Sequence, residues 1–276
     1  MITVRKIVDC FEAIAPAALQ ESYDNCGLLT GSPDTEITAG LLTLDVTEAV
    51  VDEAIFKNCG LIIAHHPVIF NGIKSLTGRT DVERAIIKAI KHDVGILAIH
   101  TNIDVIAGGV NNKICEKLGL VNTHILKPVS GQLKKLVTFI PVSDADKVRE
   151  SIFSAGAGNI GNYDCCGFNI EGTGSFRGGD LTNPYVGEKG SIHYEKEIRF
   201  ETIFPAWIQH RIIKALFSSH PYEEVAYDIY PLDNELQNTG MGMVGSLPVP
   251  IPEKEFLEIL KNTFINIIFY RGFYET

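Results

Sequence analysis

Residues 60–67 read Gly60-Leu-Ile-Ile-Ala-His65-His66-Pro67. The apolar run Leu61–Ala64, with two β-branched residues, predicts a short buried strand rather than a helix. Pro67 cannot continue a ladder, so the strand ends at the histidine pair. A second apolar stretch, Val94–Ile99, ends in the same way, in His100-Thr-Asn102-Ile-Asp104. In open α/β sheets, ligands gather beyond the carboxyl ends of the strands. Two parallel strand ends carrying His65, His66 and Asp104 therefore predict half of a metal site.

Outward from this stretch, strands and helices alternate. Leu41–Leu44 predicts another short strand. Glu48–Asn58 predicts a helix that turns Val51, Ala54 and Ile55 inward, capped by Asp45 or Thr47. Asp81–His92 places Val82, Ala85, Ile86, Ala89 and Ile90 at helical spacing. Gly108-Gly109 precedes a helix over Val110–Leu118 that Gly119 ends. Earlier, Ile7, Phe11 and Ile14 give Ile2–Gln20 a helical period disturbed by Pro16, and Tyr23–Leu29 turns into a strand. The alternation from Leu41 to Leu118 predicts a layered α/β core with a largely parallel sheet.

After Leu126 the pattern changes. Lys135–Pro141 reads as a strand, Ala145–Ala155 as a helix, Tyr163–Gly174 and Tyr194–Phe204 as β, Trp207–Ser218 as a helix and Ala226–Leu232 as a strand. That order, β-α-β-β-α-β, predicts a ferredoxin-like module. Gly156-x-Gly-x-x-Gly161 matches the dinucleotide fingerprint in spelling, but it follows a helix instead of a strand, so no nucleotide cofactor is expected from it. Gly240–Val249 then predicts a strand, Pro252–Phe264 a helix opened by proline, and Ile265–Tyr270 a last apolar strand. The expected domains are residues 1–127, an insert at 128–235, and the start of a second half of the core at 236–276.

A chain of 276 residues, 45% hydrophobic and 21% charged, has the composition of a soluble globular protein with a substantial core. Its formal net charge of −10 argues against a broad attraction to nucleic acid or anionic lipid. The six cysteines form no CxxC pair and read as reduced thiols. Arg5, Lys6 and Asp9 rule against a signal peptide, and no apolar run approaches the ~18 residues of a membrane span. A cytoplasmic location is expected.

Three motifs carry a family resemblance: Tyr-Asp-Asn-Cys-Gly-Leu at 23–28, Ala-His-His-Pro at 64–67 and His-Thr-Asn-Ile-Asp at 100–104. With Thr173-Gly-Ser-Phe176, Asn183-Pro184 and the stretch His220–Tyr230, the chain resembles the GTP cyclohydrolase 1 type 2 homologues, also called dinuclear metal centre hexameric proteins. The resemblance extends to about Phe264. It implies a two-part α/β core interrupted by an insert similar to PII-type signalling proteins. It also implies a homohexameric toroid and two divalent ions per subunit, of zinc, iron or manganese. By this resemblance His65, His66 and Asp104 bind metal, and the name implies a nucleotide such as GTP as substrate. The family's further ligands lie in a C-terminal Gly-His-Tyr/His-x-x-x-Glu-like motif. Tyr274-Glu275 comes too soon and lacks the histidine, so the expectation is a chain shortened at that end.

The residues themselves leave other assignments open. Neighbours in a strand point to opposite faces, but at a strand end His65 and His66 can each hold a different ion. Asp104 alone would read as a helix cap; its place beyond a strand end favours a ligand. His100 reads as a ligand or, more readily, as an orienting residue, Asp24-Asn25 as turn chemistry, and Asp45 as a cap or a cleft residue. His220 with Glu223-Glu224 reads as a helix-to-strand turn. The functional expectation is a metal-dependent hydrolase, set against a non-enzymatic metal-binding assembly protein or an inactive shortened relative.

Overall fold

The computed structural model describes residues 1–264 of the chain. It divides into two compact units, one of Met1–Lys127 with the described residues from Thr239 on, the other Pro128–Asn238. No helix among the described residues is long and apolar enough to cross a membrane.

The first unit opens with β1 (Ile2–Thr3) and α1 (Val4–Ile14), followed by β2 (Gly27–Thr30), β3 (Glu36–Ile37) and β4 (Gly40–Thr43). Next come α2 (Glu48–Phe56), β5 (Leu61–Ala64), α3 (Asp81–Lys91), β6 (Gly95–Ala98), the short α4 (Thr101–Asp104), α5 (Val110–Leu118) and β7 (Val121–Val129). The central sheet has the order β2-β6-β5-β4. β4, β5 and β6 run parallel, as expected, but β2 pairs antiparallel with β6. The sheet is therefore mixed, since β2 enters directly from the chain after α1 without a crossover helix of its own.

Both faces of this sheet are covered, which explains why its strands read as continuous apolar runs. Ile62 and Ile96 face α2 and α3, packing with Val51, Ala54, Ala85 and Ala89. Leu61 and Leu97 face the other way, toward Val4, Val8 and Phe11 of the α1 layer. α2 and α3 end alike. Asn58 (φ 53°) and Asp93 (φ 54°) take the left-handed conformation after each helix, and the following amides, of Cys59 and Val94, bond back to Ala54 and Ala89. The same turn, used twice, feeds β5 and β6 into register, with Leu61 opposite Gly95 and Ala64 opposite Ala98. Gly31 (φ 93°) lets the end of β2 close on β6: a Cβ there would stand 2.8 Å from Gly95 Cα.

Caps set the helix starts. Thr80 Oγ1 accepts the Glu83 amide (3.1 Å) at α3, and Thr47 Oγ1 accepts the Val50 amide (3.3 Å) at α2. Thr47 is thus the α2 cap, leaving Asp45 free for another partner.

The second unit comprises β8 (Leu133–Pro141), α6 (Ala145–Ser154), β9 (Gly167–Arg177), β10 (Ile192–Pro205), α7 (Gln209–Ser219) and β11 (Tyr227–Leu232). Its sheet has the order β11-β8-β10-β9, every pair antiparallel. Leu136, Ile140, Phe200 and Phe204 pack from the sheet against Val148, Ile152, Ile212 and Leu216 of the two helices, all of them buried. The chain then continues through β12 (Leu236–Ser246), which pairs with β7, to α8 (Glu253–Thr263).

Several strands differ from the sequence reading, among them β12, which runs Leu236–Ser246 rather than Gly240–Val249. β9 begins at Gly167 rather than Tyr163, since Ile160 and Tyr163 form a local bridged turn. β7 is absent from the sequence reading because Val121–Val129, interrupted by Pro128, is mostly exposed and has no apolar alternation to detect. The strand expected at Ile265–Tyr270 lies outside the described residues.

Candidate metal centre

Three parallel strands of the first unit end side by side, and their backbone pairing runs beyond the strands themselves. The His65 amide donates to Thr43 O (3.2 Å), the His66 amide to Leu44 O (2.9 Å) and the Ile99 amide to Ala64 O (2.9 Å). This extended ladder sets Asp45, His65-His66 and His100 at one edge of the sheet. Because β2 is antiparallel, its incoming end lies at the same edge, and the residues before it, Asp24 and Cys26, arrive there too.

His65, His66 and His100 each bring a ring nitrogen into a cluster whose members all lie within 4.8 Å of one another. The ring centroids are 4.9 Å apart for His65–His66, 5.2 Å for His65–His100 and 5.5 Å for His66–His100. In every ring Nδ1 is engaged by an oxygen that can only accept. His65 Nδ1 meets Ile99 O at 3.0 Å, His66 Nδ1 meets Asp45 Oδ1 at 2.7 Å, and His100 Nδ1 meets Asp24 Oδ1 at 2.9 Å. Each Nδ1 therefore carries a proton, which leaves Nε2 as the nitrogen of each ring that could ligate a metal. Three imidazole donors in this arrangement could hold a metal ion.

Asp104, at the end of α4, stands with Oδ1 4.0 Å from His65 Nε2. The structure therefore places Asp104 beside His65, whereas the cluster itself consists of His65, His66 and His100, and Asp104 stands outside it. Asp45 sits beside His66 instead of capping α2.

Asp24, read from sequence as turn chemistry, has a fully buried side chain. Besides His100 it accepts from the Asn25 amide (2.7 Å), the Thr101 amide (3.1 Å), the Thr101 hydroxyl and Cys26 Sγ (3.3 Å). Burial by itself would raise its carboxyl, but the bonds from Thr101, His100, Asn25 and Cys26 outweigh that and hold it far below the usual carboxylate range. The Cys26 thiol is pushed up to about 11, chiefly by burial, and is not a ready thiolate. Asn102, 4% exposed, locks the floor by donating to Ala15 O (2.6 Å). No local signal marks Asp24 as His100's partner; only the pairing of β2 with β6 does.

His220 belongs to the second unit and is 7% exposed. Its Nδ1 accepts the Tyr222 amide (3.1 Å), so Nε2 carries the proton donated to Phe139 O (3.0 Å). It holds the turn after α7.

The model of the family Duf34/NIF3 (NGG1p interacting factor 3) matches residues 2–272. The chain belongs to the Duf34/NIF3 family. Among its relatives, proteins named GTP cyclohydrolase 1 type 2 homolog from Halalkalibacterium halodurans and Bacillus subtilis are both 42% identical over 259 residues. These alignments cover 94% of this chain and, respectively, 70% and 69% of the relative. Among solved structures, a Bacillus cereus protein related to NIF3 superposes with a TM-score of 0.82 at 43% identity, covering 95% of this chain and 70% of that one. The Staphylococcus aureus protein SA1388 superposes at 0.68 with 28% identity. In this Duf34/NIF3 chain the His cluster at the sheet edge is the feature best suited to hold a metal.

Proposed function

We propose that this Duf34/NIF3 chain is a divalent-metal hydrolase whose centre is built on His65, His66, His100 and Asp104. The observation that supports this is the convergence of three imidazoles whose Nδ1 atoms are all held by acceptor oxygens and whose Nε2 atoms form no hydrogen bond among the described residues. When bound, divalent ions would supply a water acidified toward neutrality and a Lewis acid for the group it attacks. The chain's own residues orient the donors: Ile99 O, Asp45 and Asp24 fix the three rings, and Asp104 adds the carboxylate. Zinc, iron and manganese all suit imidazole and carboxylate donors, and two ions per subunit is the occupancy we assign.

The substrate class we assign is a nucleotide such as GTP, on the strength of the relatives' name. The β-α-β-β-α-β connectivity of the second unit supports reading it as a PII-like insert. A homohexamer working in the cytoplasm completes the reading; Leu42 on the edge strand β4 and Leu44 just beyond its end, 76% and 59% exposed, support an assembly surface there. The test is metal analysis of the purified protein combined with a nucleotide hydrolysis screen. Bound metal with metal-dependent turnover supports the proposal. Stoichiometric metal without turnover favours a metal-handling protein, and absence of both overturns the reading.

A further inference from the structure

The second unit holds a cavity of about 420 Å³, entirely its own, on the sheet face away from α6 and α7. That volume falls in the usual range for small-molecule sites, about 300–1,000 Å³. Its walls are Phe139, Phe176, Tyr185 and Tyr222, and Glu197 and Gly174 line it as well. The rings of Phe176 and Tyr185 each stand 6.1 Å from Tyr222, tilted 59° and 54°, as in an open box.

Glu197 is the unusual member. It is 8% exposed, yet it lines a cavity. Tyr222 Oη donates to its Oε1 at 2.8 Å. Its strand neighbours have positive or titratable partners: Glu195 pairs with His193 (2.8 Å) and Glu201 with Lys135 (3.1 Å). Among the described residues, no Lys, Arg or His forms an ion pair with Glu197. Gly174 makes room for its second oxygen, since a Cβ there would stand 2.1 Å from Oε2. A desolvated carboxylate without a counter-ion is costly, so a cation that fills the cavity is strongly favoured. The remaining charged lining, Arg177 against Glu223 and Glu224, leaves the cavity negative.

We propose that this cavity binds a small organic ammonium ion, its charge on Glu197 and its hydrocarbon part against the aromatic walls. Aromatic faces attract cations of this kind, and an N–H donor suits the open Oε2. A bare metal ion fits less well. It needs several oxygen or nitrogen donors, whereas these walls are mostly carbon. The site is separate from the histidine cluster of the first unit and does not depend on its function.

The full chain should be titrated calorimetrically with butylammonium, tetramethylammonium, 1-butanol and magnesium chloride. The expected result is one saturable site per chain for an organic cation, with 1-butanol at least about tenfold weaker. Glu197→Gln, which keeps the Tyr222 contact and removes the charge, should weaken the cation by about tenfold or more while leaving metal bound at the histidines unchanged. Should that variant fold poorly, Tyr185→Ala reads the same site from its rim, where Tyr185 is 54% exposed, and should also weaken the cation. Four results would each overturn the proposal: no saturable cation binding, equal binding of 1-butanol, saturation by magnesium alone, or unchanged cation affinity in the folded variants.

Discussion

Asp24 and His100, 76 residues apart in the chain, meet at 2.9 Å with the aspartate side chain fully buried. The carboxylate fixes the ring and its tautomer, and it is fixed in turn by Thr101, Asn25 and Cys26. The replacement Asp24→Asn retains the shape but loses the charge that aligns His100. It should weaken zinc binding by about 10–100-fold, measured by competition with a chelator. Unchanged affinity would show that His100 needs no such anchor.

The imidazole cluster makes a sharper demand. His65→Ala, His66→Ala and His100→Ala should each lower the metal content of purified protein, read by elemental analysis. His92→Ala should not, because His92 is exposed at the end of α3 and outside the cluster. If His100→Ala kept full occupancy, that histidine would be an orienting residue, the role its sequence context suggests.

These two predictions differ in how visible they were in the sequence. β5 and its histidines stand out because an apolar run meets a proline, and α3 because its inward face repeats at helical spacing. Both are local signals. The direction of β2 is not, since it depends on pairing with a strand some seventy residues later. Asp24 and the ring orientation of His100 follow from that pairing, so a turn-like Asp-Asn was all the sequence offered there. β7 left no trace because a mostly exposed strand carries no alternation of apolar and polar residues.

His220 predicts a pH dependence. Burial lowers its pKa below the ordinary histidine value, and a protonated ring would present an N–H to the Tyr222 amide that now donates to it. The unfolded chain therefore binds this proton more readily than the folded one. The stability of the neutral ring is fully present above the unfolded pKa, about 6.5, and declines as the pH falls below it. One proton contributes a slope of at most about 1.4 kcal/mol per pH unit. Urea unfolding between pH 7.5 and pH 5 should show this decline, and His220→Gln should flatten it. An equal slope in the variant would place the acid sensitivity elsewhere.

Gly31→Ala tests the closure of β2 on β6. The added methyl group would stand 2.8 Å from Gly95 Cα, and alanine must also adopt φ 93°. A loss of about 1–3 kcal/mol is expected, seen as a lower urea midpoint with an unchanged slope. A neutral effect would mean that the strand end shifts freely.

The pairing of Ala64 with Ala98 sets which imidazole looks where. If β5 slipped by a single residue along β6, Ile62 and Leu61 would exchange the two apolar layers they fill, and His65 and His66 would exchange directions with them. Burying both faces of the sheet therefore penalises such a slip on either side. The handedness of the histidine pair is guarded by isoleucines and leucines that lie in the core, outside the histidine cluster, so errors in core packing would be read out as errors in the placement of the imidazoles.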